Sequence, residues 1–172
     1  MQRGDLHRCG GTCADGKIKR FMDLLVLPHI EDEFERERAN DELPQSAGGK
    51  TITTTEPKFI PKEAASISLG EGAQARVRLI DCVGYMVEGA AGHMENGEER
   101  MVKTPWSEEE IPFTQAAETG TRKVIADHSS VGIVVTCDGS FTEIGRQQYE
   151  PAEERTVREL KKLNKPFIVL LN

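Results

Sequence analysis

Apolar residues along IKRFMDLLVL recur at Ile18, Phe21, Met22 and Leu25, the spacing of a mostly buried helix, and Pro28 is expected to close it. The next run, EDEFERERANDEL over Glu31–Leu43, carries opposite charges at helical spacings and few apolar anchors, which predicts a solvated helix. Then the period changes. Ser66–Leu69 and the ARVRLID run to Asp81 alternate apolar and polar, with Gly70 and Gly72 between them, so two strands joined by a turn are expected. Gly84–Pro112 is rich in Gly, Glu and Pro with little periodicity and reads as a long surface excursion, with Trp106 as an anchor. Helical spacing returns over Thr114–His128, and VGIVVT at Val131–Thr136 is a short apolar strand. Glu150–Leu163 is a charged amphipathic helix and PFIVLL at Pro166–Leu171 a second buried strand. Strand, helix, strand at this spacing implies right-handed parallel crossovers, hence an α/β class.

Composition narrows the class of function. With 172 residues, one domain is the expectation, and six Phe, two Tyr and one Trp leave a mostly aliphatic core. A net charge of −7 offers no cationic field to neutralise a phosphate backbone, so no nucleic acid is expected as partner. No run approaches the roughly 20 apolar residues that span a bilayer, and MQRGDLHRCGG has no signal-peptide core, so a cytoplasmic location is expected. Cys9, Cys13, Cys82 and Cys137 show neither C-x-x-C nor zinc-type spacing and are expected to be reduced, unrelated thiols. The chain stops at Asn172 directly after a buried strand with no helix to cover that side of the sheet, which suggests a fragment of a longer protein.

Three segments could carry chemistry. Gly11–Lys17, GTCADGK, meets seven positions of the phosphate-loop pattern, in which backbone amides wrap phosphates and the lysine reaches the β and γ groups. Its eighth position needs a Ser or Thr hydroxyl for magnesium, and Ile18 has none. The preceding LHRCG is also too polar for the buried strand such a loop follows. Asp81-Cys82-Val83-Gly84 is a D-x-x-G at a strand end, where the carboxylate would hold a magnesium shell and the glycine amide would meet a γ-phosphate. A strand end running into a turn would favour the same residues. Thr53, Thr54 and Thr55 lie between the two motifs, where P-loop enzymes place a switch threonine, although threonines also simply favour strands. The order of the three along the chain is that of a P-loop NTPase.

FMDLLVLP, RANDELPQSAGGKTITTTEPKF, RLIDCVGY and PFTQAAETGTRKVIADHS together resemble the stage IV sporulation protein A ATPase family, over about Ile18 to Asn172. The resemblance implies a P-loop NTPase of translation-factor GTPase type, with a parallel-rich central sheet flanked by helices and incomplete at both ends here. It implies a mother-cell ATPase, with ATP and Mg2+ as cofactors, that polymerises with itself on the forespore surface as the basement layer of the spore coat. Other coat proteins and membrane-anchor proteins are the implied partners, reached through C-terminal domains this chain lacks. By the same resemblance Gly11, Gly16, Lys17 and Gly84 bind nucleotide, Thr54 and Thr55 sense the γ-phosphate, and Thr54 and Asp81 serve the metal. ATP is the family's nucleotide, while the residues themselves leave ATP and GTP open.

The resemblance breaks at the loop. The family carries Ser-Thr-Phe between the lysine and the helix, and here Lys17 joins Ile18 directly. Codons for Asp5–Lys17 exist that, shifted by one base, read IYIGVVGPVRTGK, an apolar strand running into G-x-x-x-x-G-K. Residues 1–17 are therefore expected to be an out-of-frame translation, and ATP turnover by the chain as written is expected to be weak or absent. The competing expectation is a coat-scaffold module whose damaged phosphate loop is idle and whose assembly ignores nucleotide.

Overall fold

A computed structural model describes residues 18–43, 57–90, 92–140 and 144–171. The chain divides into two compact units, one containing 18–43 and Lys58–Asp81, the other containing Cys82 onward. The candidate residues Gly11, Gly16, Lys17, Thr54 and Thr55, and the thiols Cys9 and Cys13, lie outside the described residues.

In the first of these units, residues 18–21 are helical and run into a wider turn at Met22–Val26 and a tighter one at Leu27–His29. Pro28 sits inside that last turn, where its missing N–H costs nothing, so the helix tightens through the proline before ending. Helix α1, Glu33–Asp41, starts at Asp32, whose carboxylate accepts the Glu35 N–H at 2.7 Å, with Glu33 and Glu35 in the first turn where the helix dipole favours them. It is the largely solvated helix expected, with Phe34 82% exposed, but Ala39 is fully buried beneath it.

Strand β1, Lys58–Gly70, pairs antiparallel with β2, Ala73–Asp81. It begins eight residues before the Ser66 start read from the sequence. The alternation is hidden because the ladder shifts register between Ile60 and Ala65, around Pro61, which has no N–H to give a ladder. The two strands meet at a two-residue turn in which Glu71 and Gly72 both take positive φ, 51° and 79°, the conformation that matches strand twist in a tight hairpin. Three carboxylates tie α1 to β1: Glu35 accepts the Ser66 N–H at 3.1 Å, Glu42 accepts that of Lys62, and Glu63 pairs with Arg38 at 3.2 Å. Met22, Val26, Ile30, Ala39, Leu43, Ile60, Ala65 and Ile67 form the core of this unit.

The other unit opens with the excursion from Gly84. It is more structured than its composition suggested, because two short antiparallel ladders brace it: β3 (Met94–Glu95) with β4 (Glu98–Glu99), and β5 (Met101–Val102) with β6 (Ile111–Pro112). Helix α2, Phe113–Lys123, follows directly and continues through a wider turn at Val124–His128. Strand β7, Gly132–Thr136, then leads through helix α3, Arg146–Lys162, to β8, Phe167–Leu171, which pairs parallel to β7 as expected. Arg146, the first residue of α3, donates to the Thr136 hydroxyl at 2.9 Å and to Glu153 at 2.6 Å, tying the end of β7 to the helix. Leu160 lies against Gly132 so closely that a Cβ there would stand 2.8 Å from both its methyl carbons. Tyr85, Ile125, Val134 and Leu160 make the buried cluster between helices and strands. Among the described residues the strands form four two-stranded ladders, one parallel and three antiparallel, in a mixed α/β arrangement.

Candidate functional site

Of the residues the sequence singles out, Asp81 and Gly84 are described. Asp81 is the last residue of β2, opposite Lys58 in the ladder. Gly84 opens the excursion with φ at 85°, a left-handed conformation that costs a side-chain-bearing residue strain. Nothing lies within 4 Å of where its Cβ would stand, so backbone conformation and not crowding calls for glycine there.

That conformation aims the Gly84 N–H at α2, where it donates to the hydroxyl of Thr121 at 3.1 Å. Thr121 is itself only 3% exposed. The next residue, Tyr85, is buried, and its phenol donates to a carboxylate oxygen of Glu159 on α3. The guanidinium of Arg155, one helical turn before Glu159, lies 4.0 Å from the Tyr85 ring centroid. The same guanidinium forks onto Glu118 of α2, with Nη1 and Nη2 donating at 2.7 and 2.9 Å to the two carboxylate oxygens. A buried tyrosine thus links both helices to the backbone just after the D-x-x-G.

The electrostatics agree with this geometry. Burial, and then the bond to Glu159, push the Tyr85 phenol well above its ordinary value, with Arg155 and Arg122 opposing. The Arg155 fork holds the Glu118 carboxyl below the usual carboxylate range. An acid depressed in the folded state binds protons more readily when unfolded, so its stabilisation is complete above about pH 5 and lost as pH falls through its folded value. The Glu118→Gln protein is expected to lose a few tenths to about 1 kcal/mol at neutral pH, the pair being partly exposed, and to show a flatter decline in melting temperature from pH 6 to pH 3. Parallel declines in the two proteins would contradict the assignment.

Sequence reasoning missed Thr121, Tyr85, Glu118, Arg155 and Glu159. The available signal was Tyr85, an aromatic directly after D-x-x-G in a segment poor in large apolar residues, together with the i,i+3 pair Glu118/Thr121 and the i,i+4 pair Arg155/Glu159. Cys82 and Cys137 are not joined in a disulfide.

A sequence model of the stage IV sporulation protein A ATPase domain matches residues 8–172. The chain belongs to this family. The match starts ten residues before Ile18, inside the segment expected to be out of frame, and spans Gly11, Gly16, Lys17, Thr54, Thr55, Asp81 and Gly84. Stage IV sporulation protein A of Bacillus anthracis is 57% identical over 165 residues, covering 94% of this chain and 34% of that protein. The Bacillus subtilis (strain 168) protein of that name is 56% identical with the same coverage. That of Clostridioides difficile (strain 630) is 54% identical over 155 residues, covering 90% of this chain and 32% of that protein. The chain spans about a third of the length of these curated relatives. No solved structure matches it.

The donor set can be tested against the magnesium a nucleotide brings. Magnesium keeps several waters and takes one or two protein oxygens beside the phosphates. Asp81 supplies a carboxylate of that kind, and among the described residues no group of three or more His, Cys, Asp or Glu side chains could hold a metal without such help.

Proposed function

We propose that the chain forms an ATP-binding and hydrolysing domain with a P-loop fold of translation-factor GTPase type. The observation that carries this is the family match, whose span of residues 8–172 includes the glycine loop, the threonine cluster and the D-x-x-G. In this reading the Gly11–Gly16 loop and Lys17 hold the β and γ phosphates through backbone amides and one ammonium. Asp81 and Thr54 serve the metal shell, Thr55 lies beside the γ-phosphate, and the Gly84 amide donates to it. Magnesium supplies neutralisation of the charge that builds on the phosphate oxygens. The products are ADP and phosphate.

Turnover by the chain as written is weak, because Ile18 offers no hydroxyl where the loop needs one. In the whole protein the domain drives polymerisation on the outer forespore surface in the mother-cell cytoplasm, as the basement layer for coat assembly. Its partners there are further copies of itself, other coat proteins and membrane anchors.

Assembly separates this reading from a nucleotide-independent scaffold. Light scattering by the full-length family protein is expected to rise with ATP and magnesium and to stay flat with ADP. Equal scattering in both would favour the scaffold.

A further inference from the structure

The Gly84 segment is held at two points by residues to which the family match assigns no role. Its amide donates to the Thr121 hydroxyl at 3.1 Å, a part-buried bond to a residue that is 3% exposed. Its other end is fixed by Tyr85, which cannot move without leaving the cluster of Ile125, Val134 and Leu160, the Glu159 carboxylate and the face of Arg155. Arg155 is in turn fastened to α2 by its two bonds to Glu118. Gly84 itself has no side chain, and the space around its Cβ position is open. The backbone can therefore pivot at Gly84 while Tyr85 stays in place.

We infer that Thr121 and the Tyr85–Glu159–Arg155–Glu118 chain are positioning residues for the nucleotide reaction: they hold the Gly84 amide on the Thr121 hydroxyl until a γ-phosphate takes its place. The second half of this statement rests on the proposed ATP reading, and the first half does not. A part-buried amide that loses its acceptor carries part of the cost of an unmade hydrogen bond. Thr121 thus stabilises the arrangement in which the amide stays on its hydroxyl, and a γ-phosphate must compete with that hydroxyl. ADP, which has no γ-phosphate, leaves the amide on Thr121.

Two measurements on the full chain test the clamp and the transfer separately. The first is hydrogen exchange at Gly84, followed by NMR on protein labelled with 15N-glycine and without nucleotide. Exchange is expected to be slow in the wild type and in Thr121→Ser, and faster by at least about tenfold in Thr121→Val, which keeps the side-chain shape but removes the acceptor. Equal exchange in wild type and Thr121→Val overturns the clamp. The second is the ratio of ATP to ADP affinity in magnesium. Thr121→Val is expected to raise it by about tenfold, because the amide is already released, and Thr121→Ser is expected to restore it. A purely structural threonine would lower the melting temperature and leave that ratio alone.

A ratio unchanged in Thr121→Val overturns the transfer. If the wild type binds no ATP at all while exchange follows the expected order, the transfer fails together with the ATP reading and the clamp stands. Should Thr121→Val not fold, the wild-type protein carries the test, since its Gly84 amide resonance must shift and change its exchange rate with ATP and not with ADP. A resonance that responds equally to both nucleotides, or to neither, overturns the transfer.

Discussion

A repaired chain, in which residues 5–17 read IYIGVVGPVRTGK and Ser-Thr-Phe follows before Ile18, is expected to hydrolyse ATP at least about a hundredfold faster than the chain as written. The size follows from what is restored. A missing group that stabilises transition-state charge typically costs a hundredfold or more, and the serine hydroxyl at the eighth position is such a metal-anchoring group. The apolar strand adds pre-organisation, because a loop that leaves a buried strand holds its amides in place before the phosphates arrive. Phosphate release under single-turnover conditions, for the repaired chain and the chain as written, measures the difference. Inserting Ser-Thr-Phe alone is expected to recover part of the rate and the strand the remainder. Equal turnover by all three proteins would show that neither element limits the site.

The largest expected effect on stability is at Leu160. This residue is 2% exposed and lies in the cluster with Tyr85, Ile125 and Val134, against Gly132 and Phe167. Truncation to alanine removes its transfer energy and leaves a cavity between α3 and β7, a loss of about 2–5 kcal/mol. Against a domain stability of roughly 5–15 kcal/mol this is a large fraction, so urea unfolding should move to a clearly lower midpoint with an unchanged slope. Because Leu160 packs beside Tyr85, the Gly84 amide is also expected to exchange faster in Leu160→Ala. A change below about 1 kcal/mol would mean that the helix is not held through this contact.

Much of this fold was legible from spacing alone. Val131–Thr136 and Pro166–Leu171 read as strands because each is a short, unbroken apolar run between polar segments, and they pair in parallel around α3. The Gly70–Gly72 turn was legible because only a few residue types accept its positive φ. What escaped has physical reasons. The first half of β1 contains Pro61, Lys62 and Glu63 at a register shift, which erases the alternation that marks a strand. Helix α3 starts at Arg146, four residues before the Glu150 read from charge periodicity, and Arg146 is fixed by a tertiary bond to Thr136 that no local pattern encodes. The paired ladders of the excursion are two residues long, too short to show a period.

The site divides in the same way. Asp81 and Gly84 stand out as candidates because D-x-x-G is a contiguous pattern at the end of a strand. The residues that hold Gly84 come from two helices far along the chain, and only folding brings Thr121, Arg155 and Glu159 to that segment. Lys17, the centre of the proposed phosphate loop, was read from sequence; it lies outside the described residues and within the span of the family match.

Lys17 is therefore where the account is most directly tested, by titrating labelled ATP in magnesium against the chain and against Lys17→Ala. Saturable binding to the chain, weakened at least about tenfold in Lys17→Ala at equal thermal stability, is the predicted result. Binding of equal strength in the two proteins, or no saturable binding to the chain or to its repaired form, would contradict the assignment of an ATP-binding phosphate loop.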